Sequence, residues 1–204
     1  MKVAGFIIIL SLSAINCFAQ NAVPWYTTDE LLEDDSKALE TVDCSWRLGD
    51  AVNNESIIEF ISLPLFNHSS TNFKKWSNKE YLINCFANMT QIDGSNFLIL
   101  KLVINSTTAK RTYGDLEKGA RMKLFFSNGD FIYLENIEKD RGRLYRAEEH
   151  TRYTCVMAID KSDRKALLKN PVYKIGIMWE EAYQEYEIQN IDLIMNQLNC
   201  LNNI

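Results

Sequence analysis

The stretch ARMKLFFSNGDFIYLEN, residues 120–136, constrains the fold more than any other part of the chain. Two largely apolar runs flank Asn128-Gly129, a pair whose tolerance of positive φ suits the centre of a two-residue type I′ hairpin. That turn pairs Phe126 with Phe131, Phe125 with Ile132 and Leu124 with Tyr133. Both faces of the hairpin then carry large apolar groups, so it is expected to be covered on both sides.

The segments around it read mostly as strands. Phe97 to Ile104 is apolar apart from Lys101, as in a strand covered on both faces. Tyr153 to Ile159 gives another, after which Asp160 caps a short helix, SDRKALLK, stopped by Asn170-Pro171. Tyr173, Ile175, Ile177 and Trp179 alternate with Lys174, Gly176 and Met178, a half-buried strand that turns near residues 180–182 into Tyr183 to Ile188. Ile191, Ile194, Met195, Leu198 and Leu201 then form one helical stripe that packs on the sheet, with Cys200 off the stripe and suited to a tether. Upstream, Pro64 demotes Ile57 to Phe66 to an edge or ends it. Residues 77–90 fit helix or strand, and the Ser77-x-x-Glu80 cap favours helix. Thr112 to Gly119 is a turn-rich linker. The sum is an α+β domain, mainly antiparallel and sandwich-like, with a C-terminal amphipathic helix and short flanking helices.

The N-terminus carries a different message. Lys2, an apolar run from Val3 to Ile15, and Cys17-Phe18-Ala19 before Gln20 have the three parts of a cleavable secretory signal, cut between Ala19 and Gln20. The run is closed by Asn16 and Gln20 before it reaches the ~20 residues that span a bilayer. Cys17 raises lipoprotein anchoring as a minority alternative, although Asn16 stands where such signals have a small residue. Residues 20–43 form an acidic segment in which Thr27-x-x-Glu30 opens a helix through Leu39 or the chain stays a mobile arm. Residues 44–204 make a single globular domain. The full chain has a net charge of −5, which becomes −6 once Lys2 leaves with the signal, and that balance argues against nucleic acid and anionic lipid surfaces as partners. No membrane insertion is expected after cleavage.

Export gives the cysteines their meaning. Cys44, Cys85, Cys155 and Cys200 lie no closer than 41 positions apart, unlike the tight pairs of zinc sites, and an oxidising compartment favours disulfides. Of three pairings, Cys44 with Cys85 and Cys155 with Cys200 is favoured because sequential elements are usually neighbours. Buried thiols are the alternative. Sequons at Asn54, Asn67, Asn88 and Asn105 carry little weight in so asparagine-rich a chain.

Chemistry-bearing motifs are scarce. No G-x-x-x-x-G-K, G-x-G-x-x-G or G-x-S-x-G pattern occurs, and no cofactor is implied. His68 and His150 are the only histidines, with Glu148-Glu149-His150 the densest titratable cluster. Trp179 beside Glu180 and Glu181 suggests an aromatic platform next to carboxylates, suited to sugar, although adjacent strand residues act together only if they lie in a turn. Trp179, Glu180, Glu181 and His150 are therefore the candidate ligand surface. The chain reads as an exported, non-enzymatic binding protein of the cell envelope with a protein or glycan partner; a small extracytoplasmic hydrolase or an inhibitor or immunity-type protein are the alternatives.

The leader ending CFAQ and the run KGARMKLFFSNGDFIYL, followed by a short helix, KNPVYKIGI and a terminal helix, resemble uncharacterised exported proteins of Bacteroides-like bacteria. The resemblance spans about the second half of the chain and implies a periplasmic or surface location, with no catalytic residue to carry over.

Overall fold

In the computed structural model, residues 44, 46–48, 56–70 and 72–202 are described. The leader, its cleavage point at Ala19 and Gln20, Cys17 and the acidic segment 20–43 lie outside them.

Asp93 and Gly94 take φ of 45° and 78°, and only this double positive φ closes a two-residue type I′ loop. The loop joins strand β4 (Ile83–Ile92) to β5 (Ser95–Ile104), with Ile92 opposite Ser95. Residues 83–90 are thus strand, not helix. Ser77 spends its hydroxyl on the Lys79 amide instead of opening a helix. Ile83, Cys85, Ala87 and Met89 alternate inward beside Leu98, Leu100, Leu102 and Ile104, all buried in one apolar core. On the opposite face of β5 only Ile99 is buried, while Lys101 and Val103 are half-buried, so this strand is covered fully on one side and partly on the other.

β5 lies at the centre of a seven-stranded antiparallel sheet. It comprises β1 (Trp46–Leu48), β2 (Ile57–Phe60), β3 (Leu63–His68), β4, β5, β8 (Arg143–Tyr145) and β9 (His150–Ile159), in the order β1-β2-β4-β5-β9-β8. β2 and β3 lie end to end along the same side of β4. Pro64 sits in β3, where the register with β4 shifts, as expected for a proline at a sheet edge. Short helices α1 (Phe73–Trp76) and α2 (Ala109–Tyr113) occupy connections, and α3 (Lys161–Leu167) opens on Asp160, whose Oδ1 accepts from the Asp163 amide at 2.7 Å.

The second sheet has four antiparallel strands in the order β11-β10-β6-β7: β6 (Arg121–Phe126), β7 (Phe131–Glu135), β10 (Val172–Met178) and β11 (Tyr183–Glu187). Met122, Leu124, Phe126, Leu134, Ile175, Ile177 and Tyr186 face the core shared with the first sheet, giving the sandwich-like arrangement. Asn136 joins the two. Its backbone amide continues the β6–β7 ladder to Ala120, while its side-chain Oδ1 accepts from the Val156 amide of β9 at 3.1 Å and its Nδ2 donates to the carbonyls of Glu117 (3.1 Å) and Glu138. Asp140 repeats the device, accepting from the amides of Gly142 (2.8 Å) and Thr154 (2.6 Å).

Helix α4 (Leu193–Leu201) buries Leu193, Ile194, Gln197, Leu198 and Leu201, a stripe rotated from the expected one: Ile191 precedes the helix and is exposed, and Met195 lies at the stripe's margin. Gln197 explains the rotation. Between β2 and β3 the chain leaves β4 unpaired, and Gln197 supplies the missing partners: its Oε1 accepts from Met89 N–H at 2.7 Å and its Nε2 donates to the Ile61 carbonyl at 3.2 Å. Cys200, on the same helix, bonds to Cys44, with Cα atoms 5.7 Å apart. Cys85 and Cys155 are buried thiols on β4 and β9, separated by β5. Two strand spacings make roughly 10 Å, beyond the ~7 Å reach of a disulfide. The expected pairs Cys44–Cys85 and Cys155–Cys200 are therefore replaced by one long-range bridge, and burial pushes both free thiols well above their ordinary pKa. No helix of the described residues is long and apolar enough to cross a membrane.

Replacing Gln197 with Leu keeps the volume but leaves a buried N–H and a carbonyl unpaired; the expected loss is about 2 kcal/mol, read as a lower urea midpoint at unchanged slope. A loss under about 0.5 kcal/mol would show that the helix does not serve this gap. For the cysteines, intact mass of residues 20–204 should fall about two mass units below the reduced chain, one bridge rather than two. Cys85 and Cys155 should resist a thiol reagent until the protein is unfolded. A second bridge would contradict the strand order.

Candidate functional site

The β6–β7 hairpin closes through three residues rather than two. Phe126 N–H donates to the Asp130 carbonyl (2.9 Å), Gly129 N–H donates back to Phe126 (3.0 Å), and among the loop residues only Gly129 has positive φ, at 91°. A type I′ turn needs positive φ at two positions, so Ser127-Asn128-Gly129 forms the longer loop with glycine at its left-handed position. Asn128 Oδ1 stabilises it by accepting from the Asp130 amide at 3.0 Å. The register moves by one residue: Phe125 opposes Phe131, Leu124 opposes Ile132, Lys123 opposes Tyr133 and Arg121 opposes Glu135.

A one-residue slip changes which groups share a face. Met122, Leu124, Phe126, Ile132 and Leu134 now face inward, and Lys123, Phe125, Phe131 and Tyr133 face outward. Among the described residues the hairpin is covered on its inner side alone, not on both as expected: Phe131 and Tyr133 are each 49% exposed. A bulge in β10 adds to the same face. Val172 opposes Phe126 and Lys174 opposes Phe125, so Tyr173 is the extra residue and turns outward, against its place in the inward alternation. Of eight large exposed apolar side chains among the described residues, five lie on this face: Phe131, Tyr133, Tyr173, Met178 and Tyr183. That concentration makes this face the candidate functional surface, since single exposed apolar residues need no explanation but clustered ones do.

Charges are set among the rings. The Lys123 ammonium lies 3.9 Å from the Phe131 centroid, 4.4 Å from Phe125 and 5.8 Å from Tyr133. Lys174 lies 5.3 Å from Phe125 and pairs with Glu185 at 3.2 Å. Tyr183 donates to Glu185 Oε1 at 3.0 Å. Its ring lies over Gly176, where an added Cβ would sit 2.0 Å from the hydroxyl; only glycine lets the ring lie down on the sheet. Burial, then the Glu185 carboxylate, push the Tyr183 hydroxyl up to about 12. The same hydroxyl, followed by Lys174, holds Glu185 below the usual carboxylate range.

The residues singled out from sequence lie elsewhere. Trp179 is buried, its ring 4.9 Å from Tyr113 and 5.3 Å from Tyr153, so it is core and not a platform. Glu180 and Glu181 do occupy the turn closing β10 and β11, but Glu180 Oε2 accepts from the Asp115 amide at 2.8 Å and both backbone amides bond to the α2 end, at Asp115 and Tyr113. They fasten a loop to the sheet. His150 is buried under Tyr145 (4.9 Å, near-parallel), and its Nε2 accepts from Arg152 at 3.0 Å. Burial first, then Arg152 and Lys79, lower its pKa. His68 meets Tyr186 edge-on at 5.2 Å. Neither histidine is hydrogen-bonded to a carboxylate side chain among the described residues. Of the sequons, Asn88 and Asn105 use their amides internally, with Ser62 and Thr90 and with Tyr81 and Lys79.

One carboxylate group has the spacing of a metal site: Asp115, Glu117 and Glu180 offer oxygens within 4.8 Å of one another. Lys139 already fills it, 3.0 Å from Asp115 and 2.5 Å from Glu117, and Lys110 lies 3.3 Å from Asp115. Hydrogen bonding from Lys139 and then Lys110 holds Asp115 below its ordinary pKa despite partial burial. Lysines hold Asp115 and Glu117, and Glu180 accepts from the Asp115 amide, so the trio fastens this loop to the β10–β11 turn.

Comparisons with protein-family models, with curated proteins and with solved structures find no match to this chain.

Gly176→Ala should lift the Tyr183 ring and break its bond to Glu185. The Tyr183 resonance in tyrosine-labelled NMR, assigned through Tyr183→Phe, should move its titration from about 12 towards 10. An unchanged midpoint would mean the ring does not lie on the glycine.

Proposed function

We propose that this is an exported, non-enzymatic binding protein of the cell envelope that works through the outer face of its four-stranded sheet. The observation that carries the reading is the clustering of Phe131, Tyr133, Tyr173, Met178 and Tyr183, with Phe125 half-buried among them, on one exposed face of the described residues. Large aromatics with polar tips are enriched where proteins meet partners because they bury much area at small entropic cost. Export is supported by the N-terminal leader pattern, by the resemblance to exported proteins of Bacteroides-like bacteria, and by the Cys44–Cys200 bridge, which persists only where thiols are not kept reduced.

Between the two partners considered, a glycan fits this face better than a peptide. Extended peptides add to free sheet edges and helical ones need a groove; here the rings lie on the flat face of the sheet rather than along an edge, and the backbone groups of its inner strands are committed to ladders. Flat rings accept the C–H face of a sugar, and Glu185 and the tyrosine hydroxyls offer hydrogen bonds at the rim.

The test is retention of residues 20–204 by insoluble envelope polysaccharide. The double variant Phe131→Ala, Tyr133→Ala removes exposed rings and should leave the melting temperature within about 3 °C while cutting retention at least tenfold. Equal retention of both proteins, or no retention of the wild type, would sink the reading.

A further inference from the structure

Resting on that reading, we propose that the glycan bound by this face is acidic and seats a sugar carboxylate on Lys123. The face carries Arg121, Lys123 and Lys174 against Glu135, Glu185 and Glu187, yet not every cation on it is drawn into an ion pair. Arg121 pairs with Glu135 at 3.3 Å and Lys174 with Glu185 at 3.2 Å, and Glu185 also takes the Tyr183 hydroxyl. Lys123 has no carboxylate within 4.0 Å among the described residues: it acts on Glu185 only at longer range, and the groups it lies against are three ring faces. The rings hold the ammonium by its cation–π attraction and shield its aliphatic stem, at a site that is only half-buried. Lys123 lies on β6, one of the two inner strands of the sheet, with Tyr133 opposite on β7 and Gly176 opposite on β10. The face therefore presents a fixed positive charge in the middle of an apolar platform, on a chain that is acidic overall. A neutral ligand would leave that ammonium with no carboxylate in contact as the platform loses water, whereas an acidic one supplies a charge-assisted hydrogen bond. Tyr183, lying over Gly176, and Phe131 flank the position and offer ring faces to the sugar rings that carry the acid.

Oligogalacturonate and its methyl ester differ in the carboxylate alone and are the probes. Calorimetric titration of residues 20–204 at low salt should give at least tenfold tighter binding of the acid than of the ester. That preference should collapse on adding 0.5 M salt, an ionic strength that screens an exposed charge within about 5 Å. Lys123→Met keeps the stem over the rings and should bring the acid to the affinity of the ester without changing the ester; Lys123→Arg should restore the preference. Phe131→Ala with Tyr133→Ala should weaken both ligands together. Equal affinity of wild type for acid and ester would overturn the acidic preference and leave the glycan reading standing. Binding of polyglutamate with neither sugar bound would overturn both, as would no binding of any probe. An acid preference that survives Lys123→Met would remove Lys123 from the site.

Discussion

The left-handed φ at Gly129 fixes the register of one hairpin, and the sorting of β6 and β7 between core and surface follows from it. With Gly129 as the third loop residue, Phe126 falls on the inner face and Phe125 on the outer. Every pair downstream sorts accordingly: Met122 meets Leu134, Lys123 meets Tyr133 and Arg121 meets Glu135. A two-residue turn would set Met122 against Glu135 and Lys123 against Leu134, mixing core and surface on both faces. The loop is thus consistent with the burial of the whole sheet, as expected when local and global preferences agree.

Around that hairpin the protein is held by polar groups placed where ladders stop. Asn136 fills the corner between the sheets, Asp140 ties the following loop to β9, and Gln197 bridges the break between β2 and β3. Each satisfies buried backbone groups that would otherwise cost about 1–3 kcal/mol apiece. The Cys44–Cys200 bridge adds a constraint over 156 positions, which in the chain-entropy model amounts to about 5 kcal/mol at most. The outer face of the four-stranded sheet takes no part in this internal satisfaction, and that is what sets it apart as a surface.

Strands with long apolar runs and a clear cap were legible in the sequence: β5, β9, the Asp160 cap of α3, the turn between β10 and β11, and a C-terminal helix. Four features were not, each for a physical reason. Asn-Gly suits both the two-residue and the three-residue hairpin loop, and only the pairing of Arg121 with Glu135 and Met122 with Leu134 separates them. The Asp93-Gly94 turn between β4 and β5 lies just beyond residues 77–90, where the helix-like spacing at Ser77 set the reading. Trp179 was read as a platform from its place beside Glu180 and Glu181, whereas its position at the end of an inward-alternating strand already implied the burial observed. Cysteine pairing lay beyond sequence, since it depends on strand order: β5 inserts between β4 and β9 and keeps Cys85 from Cys155.

The hairpin register is the claim on which the exposed aromatic face depends, and through-space NMR measures it directly. Phe125 and Phe131 form a pair without ladder hydrogen bonds, in which the two α-carbons approach to about 4.5 Å and their α-protons give a strong cross-peak. A strong Hα–Hα cross-peak between Phe125 and Phe131 is the predicted result. Finding Phe126 directly opposite Phe131, or Phe125 opposite Ile132, would contradict it and return these rings to a mixed face.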